Sequence, residues 1–293
     1  MDKNKTLIIL GNGFDLDLGW KTSYNDFFRA KQNSIVTLNG MSFIKNMVDG
    51  EYWYDLEGYI RHIAINEVIN ADELKTLNYF WLFLTAQLEE YFRNKSIFTT
   101  NTKSCAFEFL KCITTYSDIV SFNYTDPFKE CNLASKDIAY IHNSIESSYS
   151  NEGRIKLGID KGVLSENQYL SPSDISYILK SRENQVGDNL ISKWKNYENI
   201  IIYGHSLGIT DSDYFKPLFD SIISGTIIPQ SIYIVTKDPK SLEQIKENML
   251  IYGIRYSQLL CSCDLTTVFT GNGSNHPLFN EMLQINSSLK NYS

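Results

Sequence analysis

The chain has 293 residues, 43% hydrophobic and 21% charged, which places it among globular proteins long enough to bury a large core. Its net charge of −7 withholds the basic surface that sequence-independent nucleic-acid binding needs, so no direct nucleic-acid partner is expected. The 5 cysteines lack paired C-x-x-C spacing, which indicates neither a disulfide framework nor a structural zinc site and fits free thiols in a reducing cytoplasm.

Met1 to Thr6 lead directly into an apolar run, leaving no room for the apolar region of a signal peptide. No window approaches about 18 uncharged apolar residues, so no membrane span is expected. The run Leu7 to Leu10 has no polar alternation, which suits a strand covered on both faces. It stops at Gly11-Asn12-Gly13, where two residues without side chains let backbone N–H groups close on the phosphates or ribose of a ligand.

Thr22 or Ser23 then caps a helix beginning at Tyr24, with Asp26 in its first turn. From about 40 to 116 the signals are helical, the best being Asp72 to Asn94 with Leu77, Phe80, Trp81, Leu84 and Leu88 at helical spacing. This region reads as a helical insertion between the first and second strands of a single domain spanning 1–293. Within it, Asp55 and Glu57 of the Trp53-x-Asp-x-Glu57 pattern suit a solvated helix start, and His62 suits a core or surface position.

Asp118 to Asn123 is a short β-prone run, after which Thr125 or Asp126 caps a helix with Pro127 at its first position. Ile138 to Ile141 is a strand delivering His142 at its carboxyl end, the edge where open α/β sheets bind ligands. An Asx turn and a plain strand end are the alternative explanations of Asn123 and His142. Arg154 to Ile159 reads as a further strand followed by a loop, and Ser171-Pro-Ser-Asp174 as a helix start.

Asn199 to Tyr203 is another strand, ending in Gly204-His205-Ser206-Leu207-Gly208. This matches the G-x-S-x-G nucleophile elbow, and Asp238 and His276 follow in the order of a Ser, Asp, His triad, so a serine hydrolase using Ser206 is one alternative. Against it, Thr210-Asp-Ser-Asp213 places the helix start several residues late. A metal site at Asp211 and Asp213 is weaker still, and no metal is expected. Strands at Ser231 to Thr236 and Leu265 to Thr270, helices from Pro239 to Leu250 and from Leu278, and the loop Gly271 to Pro277 complete an alternation of strand and helix. That order implies an α/β fold, a mostly parallel sheet with helices on both faces.

Leu-Ile-Ile-Leu-Gly-Asn-Gly-Phe-Asp15, Lys21-Thr-Ser-Tyr-Asn-Asp-Phe27, Trp53-x-Asp-x-Glu57, Ser121-Phe-Asn-Tyr-Thr125, Tyr140-Ile-His142 and Ile202-Tyr-Gly-His-Ser-Leu-Gly208 resemble the bacteriophage abortive infection protein AbiH family, in family order up to about Phe219. The same stretches are distantly similar to Sir2-like NAD-binding proteins, which implies a Rossmann-like sheet and NAD or another nucleotide as ligand. Under that resemblance Gly11, Asn12, Gly13 and Asp15 would sit at the pyrophosphate and ribose. Asn123 would position a water or ribose hydroxyl, His142 would be the base with Asp126 nearby, and Gly204, His205 and Ser206 would lie near the adenosine half. Asn143 stands where that family has glycine, Thr125 where it has aspartate, and the zinc-binding cysteine pairs of sirtuin deacylases are missing, so deacylation is not implied. The implied function is antiphage defence by N-glycosidic cleavage of NAD or a related nucleotide, with a phage-derived trigger and self-association as expected partners. The alternative is a nucleotide-gated sensor or toxin module that does not turn over.

Overall fold

The computed structural model describes residues 6–36, 55–68, 70–114, 117–146, 155–159, 161–171, 173–175, 178–179, 197–227 and 229–287. Trp53 and Arg154 lie outside them, as do parts of the expected insertion (40–54, 69 and 115–116) and of the expected helix after Ser171. The chain divides into two compact units, one of Met1–Trp20, Phe98–Ile141 and Asn184–Ser293, the other of Lys21–Ile97 and His142–Glu183.

The first unit is a 6-stranded parallel sheet of β1 (Thr6–Leu10), β2 (Ser117–Ser121), β3 (Ile138–Tyr140), β4 (Asn199–Tyr203), β5 (Ser231–Thr236) and β6 (Leu265–Phe269). Their order is β3-β2-β1-β4-β5-β6. Strand order reverses direction between β1 and β4, the switch point of a doubly wound sheet. Unbroken apolar strands are what a sheet covered on both faces requires. Leu7, Ile9, Ile200, Ile202, Ile232 and Ile234 face one core, packed with Phe215, Phe219 and Met249. Ile8, Leu10, Ile201, Tyr203, Tyr233 and Val235 face the other, packed with Phe14, Phe109 and Phe279. Helices Ser212–Ile223, Pro239–Ile251 and Tyr256–Ser262 supply the first layer, and Asn12–Asp17, Cys105–Cys112 and Pro277–Ser287 the second.

The second unit is helical among the described residues. Ser23 caps helix Tyr24–Val36 by accepting from Asp26 N at 3.0 Å. Asp55 caps Leu56–Asn66 through Gly58 N, and Asn70 caps Ala71–Phe92 through Asp72 N and Glu73 N. His62 is exposed on the first of these two helices and touches Asn66. Phe27 and Tyr91 meet edge to face at 5.7 Å, joining the helices that carry them. Past the end of Leu56–Asn66, Asn167 donates to the otherwise orphaned carbonyls of Ala64 and Val68 at 2.7 and 2.8 Å.

One expectation fails in this unit. Of the stretch expected as a strand at 154–159, the described residues 155–159 are largely buried but join no sheet beyond one bridge between Ile159 and Leu179. Its donors go elsewhere: Ile155 N to Glu89 Oε1 at 3.2 Å, Lys156 N to His142 O at 2.7 Å, and Gly158 N to Glu57 Oε1 at 3.3 Å. Carboxylates from two helices therefore do the work of a neighbouring strand. Ser171 accepts from Asp174 N at 3.4 Å and 173–175 form a turn, while the rest of the helix expected there lies outside the described residues.

Candidate functional site

At the carboxyl end of β1 the chain turns straight into helix Asn12–Asp17 with Gly11 as N-cap. The glycines are needed for backbone contact rather than left open. A Cβ on Gly11 would lie 2.5 Å from His205 Cα, and one on Gly13 would lie 2.8 Å from Gly204 Cα. Gly204, at φ +67°, would place its Cβ 2.1 Å from Phe14 N. Gly11 N donates to Tyr203 O at 2.9 Å and Gly13 N to Gly204 O at 2.8 Å. The expectation that these two N–H groups close on phosphates is thereby corrected: carbonyls of the β4 turn accept both.

The polar side chains gather on the β2 side of the same turn. Asp15 projects from helix Asn12–Asp17 and is 1% exposed. Its Oδ1 accepts from Asn123 Nδ2 at 2.9 Å, and its Oδ2 from Thr125 Oγ1 at 2.6 Å. Asn123 Nδ2 also donates to Gly11 O at 3.1 Å. Ser121 Oγ accepts from Asn123 N at 3.1 Å, fixing the backbone as it leaves β2. Burial pushes the Asp15 carboxyl up to about 7, against the opposing pull of the Thr125 and Asn123 hydrogen bonds.

Asp17, two residues on and so on another face of the short helix, serves the fold. Its Oδ2 accepts from Ala106 N and from Tyr203 Oη, both at 2.7 Å. Burial raises its carboxyl too, partly offset by those bonds.

Asp126 caps helix Pro127–Glu130, its Oδ1 accepting from Phe128 N at 3.0 Å and Lys129 N at 3.1 Å. The carboxylate bonded to Asn123 is therefore Asp15. Thr125 was legible only as a helix cap, yet it is a donor to Asp15; the alternation of Asn123 and Thr125 after a strand was the available signal. His142 follows the end of β3, is buried and opens the second unit, where its carbonyl holds Lys156 N.

After β4, His205 is buried and its Nδ1 accepts from Leu207 N at 2.9 Å. That acceptance places the proton of the neutral ring on Nε2, 3.4 Å from Asp211 Oδ2. Phe122 and Phe215 pack on the ring with centroids at 4.5 and 4.6 Å. His205 thus fixes the β4 turn, a role that Phe122 and Asp211 share and that sequence reading did not identify.

Ser206 is exposed, and the positive φ angles of this turn fall at Gly204 and Leu207, not at the serine as in a strained elbow. The following helix begins at Ser212, and Asp238 Oδ1 accepts from Ser241 N and Oγ, both at 2.8 Å, as the cap of Pro239–Ile251. The Asp238 carboxylate is thus committed to a helix cap, and Ser206 lacks the backbone of an elbow. Among the described residues no group of three or more His, Cys, Asp and Glu is placed to hold a metal, and no helix is long and apolar enough to cross a membrane.

Residues 7–228 match the family described as Bacteriophage abortive infection AbiH. No curated protein and no solved structure matches the chain.

Proposed function

Because the chain belongs to the bacteriophage abortive infection AbiH family, we propose that it acts in phage defence as a nucleotide-binding enzyme that cleaves the N-glycosidic bond of NAD⁺ or a related nucleotide. The observation that carries this reading is the buried Asp15, Asn123 and Thr125 cluster at the carboxyl end of β1, on its β2 side. In doubly wound sheets this carboxyl edge is where nucleotides bind. A cluster of buried polar groups costs stability compared with apolar packing, so its presence there needs a purpose beyond the fold.

The chemistry asks little of the protein. Nicotinamide leaves NAD⁺ as a neutral molecule, so bond breaking requires no general acid. What remains is stabilising an oxocarbenium-like sugar and orienting a water. In this reading Asn123 orients the water or a ribose hydroxyl, His142 is the base, and Asp126 fixes the turn that carries Thr125. The nucleotide lies over the exposed Asn12 and the Asn123 amide that Asp15 holds, with its adenosine half toward the exposed Ser206.

The test is nicotinamide release from NAD⁺ by the purified full chain, read by chromatography. The expected result is turnover that falls by at least about a hundredfold in Asn123→Ala and in His142→Gln. Folded protein that releases no base from NAD⁺, NADP⁺ or ATP would overturn the enzymatic reading. The commitment of the Asp126 carboxylate to a helix cap favours one second reading, a nucleotide-gated module without turnover. Nucleotide retained through purification without product would identify it.

A further inference from the structure

We propose that Asp15 is a positioning residue that, together with the Gly11 carbonyl, locks the Asn123 amide in one orientation and so makes the site select a ligand group that carries an O–H or N–H donor. The proposal rests on the reading above for the identity of the ligand, but not for the orientation of the amide. An asparagine side chain has a donor end and an acceptor end of nearly equal shape, and only its partners decide which faces where. Here the partners decide. One Nδ2 hydrogen goes to Gly11 O at 3.1 Å and the other to Asp15 Oδ1 at 2.9 Å, and a carbonyl and an ionised carboxylate can only accept. A flipped amide would set its oxygen against both, leaving buried acceptors unpaired at about 1–3 kcal/mol each.

The locked amide directs Oδ1 away from Asp15 and Gly11, and this atom is buried with no hydrogen-bond partner among the described residues. A buried acceptor in that state calls for a donor from outside the cluster. A neutral hydroxyl or N–H group satisfies it, whereas a phosphate oxygen would oppose it. Asp15, at 1% exposure, reaches a ligand only through Asn123. Thr125 Oγ1 on Asp15 Oδ2 at 2.6 Å keeps the carboxylate itself from turning. Cys131 also senses the Asp15 charge, and burial first of all pushes its thiol up to about 11.

The orientation is read from the Asn123 side-chain amide by nitrogen-15 NMR on the full chain, the resonance being identified by its loss in Asn123→Ser. In the wild type its two hydrogens should be inequivalent, exchange at least about tenfold more slowly than those of exposed asparagines, and shift with pH as Asp15 titrates. Asp15→Asn, which retains shape and an acceptor oxygen, should keep the slow exchange and lose the pH response. A wild-type amide that exchanges fast, or a pH response that survives Asp15→Asn, would overturn the proposal.

A second readout is NAD⁺ affinity by calorimetry in a double-mutant cycle. Asp15→Ala and Asn123→Ala should each weaken binding by about tenfold and the double variant by no more than either, because one residue acts through the other. Additive losses would overturn it. Absence of any nucleotide binding would count against the proposed function, while the amide resonances would still decide whether Asp15 sets the orientation.

Discussion

Asp15→Asn also separates charge from shape in the stability of the fold. The carboxyl is buried and pushed from 3.8 to about 7, so the folded chain holds a proton that the unfolded chain releases. Below about pH 4 both states are protonated and the group contributes nothing. Between about pH 4 and 7 the folded state binds more protons than the unfolded one, and the folding constant falls by up to about tenfold per pH unit. Above about pH 7 both are ionised and the penalty is constant, on the order of 4 kcal/mol.

The asparagine variant carries no such penalty. Any change in its bond to Thr125, worth about 1 kcal/mol, shifts its stability equally at all pH values. Urea unfolding from about pH 5 to about pH 8 should therefore show Asp15→Asn gaining steadily on the wild type and then levelling off. A stability difference that is flat with pH, or that moves in favour of the wild type as pH rises, would refute the account of Asp15 as a carboxyl whose charge the fold resists.

Gly204→Ala should lose about 3 kcal/mol or more in urea unfolding, since its Cβ would meet Phe14 N at 2.1 Å. Gly225→Ala has a similar φ of +72° but nothing within 4 Å, so it should cost only the left-handed strain of about 1 kcal/mol. Tyr203→Phe should lower stability by about 1–2 kcal/mol in thermal unfolding, because Asp17 then keeps only Ala106 N among its two described donors. A fluorophosphonate probe should leave Ser206 unlabelled in mass spectrometry, as its turn lacks the strained serine of an elbow.

Much of the sheet was legible in the sequence because its signals are local. The apolar run at Leu7 to Leu10, the Asp126-Pro127 cap and start, and the delayed helix at Ser212 each depend on neighbours in the chain. The error at 154–159 has a different origin. Ile155, Leu157 and Ile159 alternate and are buried as a strand's residues would be. What alternation does not encode is who accepts the N–H groups, and here Glu57 and Glu89, from helices far away in sequence, accept two of them. Glu57 in turn suits an ordinary solvated helix start in the sequence, because its partner lies about a hundred positions later.

The same limit explains the glycine turn. Gly11-Asn12-Gly13 looks from the sequence like a surface left bare for a ligand, and Gly204 like part of a nucleophile elbow. Together they are two halves of one contact in which the turn after β1 and the turn after β4 touch through backbone, at distances that no added methyl group would fit. Since that contact occupies the β4 side of the turn, side-chain chemistry at this end of β1 is left to the β2 side, where Asn123 and Thr125 meet Asp15. Asp15 is thus attached to the glycines in sequence but to the β2 turn in function. A change at Gly204 should disturb the fold, whereas Asp15→Asn should alter the site while leaving the glycine contact intact.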